Sequence, residues 1–124
     1  MGVYRGIAQD NVTITSGQAV LQRMRVTNDA PVTKTADFAI GNDESFLINN
    51  KSGSACVVTL PAAASWPGRR IVIKTIQAQA VNSASSNVVP RAGGAAGTAI
   101  VTNTAGNWAE LVSDGTNWVI MAGS

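Results

Sequence analysis

Residues 55–74 read ACVVTLPAAASWPGRRIVIK, and this stretch decides the fold class. Two apolar runs, Val57-Val58-Thr59-Leu60 and Ile71-Val72-Ile73, flank a loop from Pro61 to Arg70. Each run is β-branched and only a few residues long, which is the pattern of a strand rather than a helix. Pro61 ends the first run because it has no N–H to give to a ladder. Pro67-Gly68 is a turn signal. The nearest helix candidate, Ala62-Ala63-Ala64-Ser65-Trp66, stops at Pro67 and has room for one short 3₁₀ turn.

Outward from this stretch the same pattern repeats. Phe38 and Ile40 alternate with Ala39, and Phe46 and Ile48 with Leu47. Gly41-Asn42-Asp43-Glu44 and Asn49-Asn50-Lys51-Ser52-Gly53 are the turns that follow. Residues 75–107 hold one charge, Arg91, among Ala, Ser, Gly, Asn, Thr, Val and Gln. Disordered loops are usually more charged and richer in proline, so this segment is read as packed small-residue β structure. Short strands are expected at 87–90 and 98–101. Trp108 to Ser113 and Asn117 to Met121 form a hairpin around Asp114-Gly115, the glycine supplying the positive φ of the turn. Apolar residues fall on both faces of both strands, so neither face is fully solvated. Short strands at close spacing with turns between them predict an all-β fold: a small antiparallel β-sandwich or jelly-roll-like body over residues 35–124.

Residues 1–34 read as an N-terminal attachment arm. Val12-Thr13-Ile14-Thr15 alternates, Ser16-Gly17 turns, and residues 19–26 alternate again, with Val20, Gln22, Met24 and Val26 on one side and Leu21, Arg23 and Arg25 on the other. A two-stranded hairpin of this size is marginal alone in water. The body or a partner must steady it. Asn28-Asp29-Ala30-Pro31 then breaks the pattern as a linker-like turn.

Composition narrows the function. The chain has 124 residues, the length of one domain. Only 13% are charged, against about 25% in an ordinary soluble domain. That deficit suggests a surface partly covered by other subunits. The net charge of +2 is spread along the chain and makes no basic stripe interleaved with aromatics, so nucleic acid is not an expected partner. No apolar run approaches the ~20 residues of a membrane-spanning helix. The first thirty residues lack the basic-then-apolar pattern of a secretory signal, so synthesis in a cytoplasm without that export route is expected.

The chemistry of catalysis is thin. Histidine is absent, which removes the commonest general base and nitrogen ligand and the usual nucleophilic triads. Most of the acids sit in expected turns, where Asp is a turn former. Glu110 alone falls within a strand, as a solvated or ion-paired residue. Asp43-Glu44 lacks the alternating oxygen ligands of a calcium loop. Residues 93–97, GGAAG, lack the lysine of a phosphate loop. Cys56 sits in an apolar run and reads as a small buried hydrophobe. No catalytic residue, cofactor or metal site is expected.

In order, the chain offers Val57-Val58-Thr59-Leu60-Pro61, an Ala-rich loop and Gly68-Arg69-Arg70-Ile71-Val72-Ile73-Lys74. There follow a small-residue segment with Asn87-Val88-Val89-Pro90 and the block Leu111-Val112-Ser113-Asp114-Gly115-Thr116-Asn117-Trp118. Over about residues 45–122 this resembles a β-rich module of virion proteins of tailed bacteriophages: tail fibres, spikes, and small head-fibre or decoration proteins. The module often carries a Gly-Asp pair before an Ile in its middle segment; here Gly93-Gly94 has no Asp.

The resemblance implies structural roles. Leu60, Ile71 and Ile73 would be core, Pro61 would end a strand, Gly68, Asp114 and Gly115 would shape turns, and Trp118 would anchor the last strand. It also implies a homotrimer in a virion. The expected function is a non-enzymatic capsid decoration (cement) or head-fibre protein, held to the major capsid protein or another virion protein through residues 1–34. A short chain with an arm and no long shaft favours this role. The alternative is a tail-fibre or tailspike tip that binds a host-surface glycan, with Trp66 or Trp108 stacking on sugar rings; otherwise these two are core or interface residues. A glycan-degrading enzyme is the weakest reading, since no pair of acids stands out.

Overall fold

The computed structural model describes residues 29–124. The expected hairpin over residues 12–26 lies outside the described residues. The body is all-β, with one 3₁₀ turn at Ala63–Ser65 and ten strands. These are β1 (Val32–Lys34), β2 (Phe38–Ala39), β3 (Phe46–Asn49), β4 (Cys56–Thr59), β5 (Arg70–Thr75), β6 (Val81–Ser83), β7 (Val88–Val89), β8 (Ala99–Val101), β9 (Trp108–Ser113) and β10 (Trp118–Gly123). They make a six-stranded sheet, β1-β3-β5-β9-β10-β7, and a four-stranded sheet, β2-β4-β6-β8.

The sandwich-like body is as expected, but its sheets are mixed rather than antiparallel, and it is no jelly roll. β1 with β3, β3 with β5, β2 with β4, β4 with β6 and β10 with β7 all pair in parallel. The reason is the path of the chain. From β1 to β9 each successive strand crosses to the other sheet. A strand therefore meets its neighbour only after a full coil, running in the same direction. Parallel pairs always need such a crossover; here a strand of the opposite sheet supplies it in place of a helix. Val32 pairs with Leu47, Phe38 with Val58, Cys56 with Val81 and Phe46 with Val72, so one coil takes between 15 and 26 residues. The two strands of residues 55–74 thus lie in different sheets, each with a neighbour on both sides. Antiparallel pairing closes the stack, β5 with β9, β9 with β10 and β6 with β8.

Two strands escaped the sequence reading. β6 lies within the small-residue segment. β1 lies ahead of the expected boundary at residue 35, so Val32–Lys34 is part of the body's larger sheet.

The core is laid down in rows across the ladders. Leu47, Ile73 and Ala109 share one row, and Ile71, Leu111 and Ile120 the next. Leu47, Ile71, Ile73 and Leu111 are fully buried and face Val58, Cys56, Val81, Ile100 and Val101 of the other sheet in one cluster. Each such side chain contributes about 1.5–3 kcal/mol of transfer free energy. Polar residues extend the inner rows. Asn49 and Thr75 are paired in register and fully buried. Asn49 Nδ2 donates to Thr75 Oγ1 at 3.1 Å, and Thr75 Oγ1 donates to the Gln77 carbonyl at 2.9 Å. A buried amide without such partners would be costly.

Candidate interaction surface

The residues that fall outward on the larger sheet are more apolar than a solvated face requires. Alternation puts Arg70, Val72 and Lys74 outward on β5, since Ile71, Ile73 and Thr75 are buried. In register they extend into three outer rows: Ile48, Lys74 and Trp108; Phe46, Val72, Glu110 and Ala122; and Arg70, Val112, Val119 and Val89. Trp108 is 38% exposed. The ladder runs one residue beyond β5, where Ile76 N–H donates to the Asn49 carbonyl at 3.0 Å. Ile76, 45% exposed, therefore falls on the same face. Glu110 is ion-paired with Arg70 across the strands, which fills the role expected of it. Lys74 makes no ion pair among the described residues. The register shift between Ile120 and Ala122 lifts Met121 out to 59% exposure at the margin.

Trp66 belongs to a second place, the loop between β4 and β5. The 3₁₀ turn ends there, and Gly68 at φ +83° lets the chain reverse so that its N–H meets the Ser113 carbonyl at 2.8 Å. Arg69 then turns back over the loop, its guanidinium carbon 4.6 Å from the centre of the Trp66 ring. Its Nη2 donates to the carbonyls of Gly41 (2.8 Å) and Glu44 (2.7 Å). Its Nη1 is buried without a partner among the described residues. Burial pulls the Arg69 pKa down, and Asp29, Asp43 and Glu44 oppose this. Glu44 accepts from Gly41 N–H at 2.8 Å and from Lys34 Nζ at 3.0 Å. The Gly41 bond, then the lysine, holds its carboxyl below the ordinary range against a cost of burial. Charge here clamps two loops together. The guanidinium also covers one face of the Trp66 ring.

Trp66 and Trp108 are not brought together. Trp66 precedes the Arg70 end of β5, while Trp108 pairs with Lys74 at the other end, about 13 Å along the strand at ~3.3 Å per residue. The motif residues are placed as follows. Leu60, Ile71, Ile73 and Trp118 are buried. Pro61 offers its carbonyl to the Trp118 indole at 2.8 Å. Asp114 Oδ1 accepts from Thr116 N–H (2.9 Å) and Asn117 N–H (2.7 Å), with Gly115 at φ +90° between. The two bonds also draw the Asp114 pKa down.

The Arg69 clamp was not legible in the sequence, which showed only a basic pair at a turn. The signal for Asn49 was available: it shares the parity of Leu47.

Among the described residues no three His, Cys, Asp or Glu side chains gather as metal ligands. A cavity of about 260 Å³ lies on β6 and β8 between Asn82 and Thr102 and has no ionisable lining. A smaller one, about 150 Å³, opens beside Trp108 against Arg91 and Gly123. Comparison with family models, curated proteins and solved structures gives no match.

Proposed function

We propose that this chain is a non-enzymatic structural protein of a tailed-phage virion, a homotrimeric capsid decoration or head-fibre protein attached through its N-terminal segment. The reading starts from the resemblance over residues 45–122. The observation that carries it is the outer face of the six-stranded sheet, where Ile76 and Trp108 are exposed beside Ile48 and Val72. Apolar rows of this kind are the make-up of a face buried between subunits. The polar side chains hold loops and strands to one another, as Arg69, Glu44, Asn49 and Ser113 do. Such a protein works by buried area and by avidity, three attachment segments on one trimer engaging together.

Trp108 also favours the second reading, a tail-fibre or spike tip for a host-surface glycan. It pairs in register with Lys74, which makes no ion pair among the described residues, and aromatic stacking with a neighbouring cation suits an acidic sugar. Labelled-particle microscopy separates the two: copies over the head support decoration, a few at the tail support adsorption. Light scattering of the isolated protein should give three times 12.7 kDa, and Ile76→Glu with Trp108→Glu should reduce it to one. A monomeric wild-type chain would overturn the trimer.

A further inference from the structure

Positive charge is left over at one place on the body. Six of the nine lysines and arginines lie among the described residues. Lys34 pairs with Glu44, Lys51 with Asp37 and Arg70 with Glu110. Arg69 sits among Asp29, Asp43 and Glu44. Lys74 and Arg91 remain without a carboxylate partner among the described residues, and both border Trp108. Lys74 is the register partner of Trp108 across β5 and β9. Arg91 and Trp108 line the same cavity of about 150 Å³. The last described acid, Asp114, is engaged by Thr116 N–H and Asn117 N–H in its own turn. Asp10 is the single acidic residue outside the described ones, so the acidic side chains of the sequence cannot neutralise both cations.

The cavity beside them joins apolar and polar walls. Its floor is core: Ile100 of β8 and Ala109 of β9 are 6% and 2% exposed, and Ile120 of β10 packs against the same cluster. Arg91 is fixed at its rim by Nη1, which donates to the Gly123 carbonyl. The rest of its planar fork, Nε and Nη2, has no acceptor among the described residues. Such a fork matches the two oxygens of a carboxylate. Ser124 adds a hydroxyl, which accepts from Trp108 N–H and donates to Asn107 Oδ1, both at 3.3 Å. These bonds are long and cost little to exchange for a ligand. The Ser124 carboxyl group makes an ion pair with neither cation. At ~30 Å³ per water the cavity holds about five waters. That is room for a carboxylate and the carbon that bears it, with the rest of the ligand left outside against the exposed Trp108.

We propose that Arg91, Trp108 and Lys74 form a subsite for a hexuronic acid of a glycan. The carboxylate enters the cavity onto Arg91, the apolar C–H face of the sugar ring lies on the Trp108 indole, and Lys74 supplies the second positive charge from β5. The subsite rests on the glycan-binding reading and adds to it the substituent recognised and the residue that recognises it. An acidic peptide offers the carboxylate but no flat ring for Trp108.

Titration of the full chain, followed by nuclear magnetic resonance, tests this with a glucuronic-acid oligosaccharide and its carboxyl-reduced, neutral counterpart. The acidic form should bind about 10-fold or more tightly and shift the Trp108 indole and Ser124 amide signals. Added salt should narrow the difference. Arg91→Gln should erase the preference and leave the affinity for the neutral form unchanged, and Lys74→Gln should reduce the preference. Equal affinity for the two forms at Trp108, or a preference that survives Arg91→Gln, would overturn the subsite and leave the glycan reading standing. Binding of neither form would sink both. An oligoglutamate peptide held through Arg91 more tightly than the acidic sugar would rule out the sugar as the ligand.

Discussion

The indole nitrogen of Trp118 donates to the carbonyl of Pro61 at 2.8 Å, joining the first residues of β10 to the end of β4 across 57 positions of sequence. Trp118 is fully buried. Its ring closes the core where the two sheets meet, and its one polar atom satisfies a proline carbonyl there. A buried Trp N–H without a partner would cost stability.

Replacing this residue should separate packing from hydrogen bonding. Trp118→Ala should cost about 3–5 kcal/mol, the usual range for emptying an aromatic site in a core. Trp118→Phe keeps most of the packing but leaves the Pro61 carbonyl unpaired, for about 1–3 kcal/mol. Urea unfolding of both variants checks the order. Equal losses would mean the hydrogen bond contributes nothing.

Gly123 is required by close approach rather than by its φ. A Cβ built there lies 2.6 Å from the Trp108 carbonyl oxygen and 3.3 Å from Ala109 Cα, both backbone atoms that have little room to move. Gly123→Ala should therefore lower the melting temperature and part the end of β10 from β9. Gly97→Ala, with nothing within 4 Å of the added carbon, should leave it nearly unchanged. Thermal melts of the pair test this.

Stability should fall as acid reaches the loop clamp. The Glu44 carboxyl is held below its ordinary value by Gly41 N–H and then Lys34, and that of Asp37 by Lys51 and Val57 N–H. A group with a lowered folded pKa contributes above its unfolded value, about 4 for these carboxylates, and the contribution disappears as pH drops through the folded one. Unfolding free energy should therefore be flat near neutrality and decline below about pH 4. Glu44→Gln should make that decline shallower, measured by denaturant titration across the range.

Cys56 should be silent to thiol reagents while the protein is folded. It is completely buried, and burial, then the nearby Asp37 charge, pushes its thiol pKa up. Both effects suppress the reactive thiolate. A disulfide-exchange reagent at mildly alkaline pH should label it only on unfolding. Rapid labelling of the native protein would show that β4 opens on its own.

Much of the fold was legible because alternation is local. Leu47, Ala109 and Leu111 alternate with their neighbours as the sequence shows, Ile71 and Ile73 are buried as the resemblance implies, and the hairpin at Asp114-Gly115 follows from its turn residues. β6 was not legible, since Val81-Asn82-Ser83 sits among small residues that pack equally well in a loop or a strand. The outer face was half legible: the sequence showed apolar residues on both sides of β9 and β10, while the partners that make Trp108 and Ile76 one patch come from β3 and β5.

By itself the sequence determined an all-β chain, its turns, the alternation of its main strands and the scarcity of catalytic groups. Each of these depends on residues adjacent in the chain. Tertiary structure alone decided which strands became neighbours. Val32 beside Leu47 and Leu47 beside Ile73 are parallel pairs made by a chain that crosses between sheets. A strand's own side chains look the same whether its neighbour runs with it or against it. Direction is set by the path between strands, and the burial of Asn49 against Thr75 and the reach of Arg69 to Gly41 exist only once that path has closed.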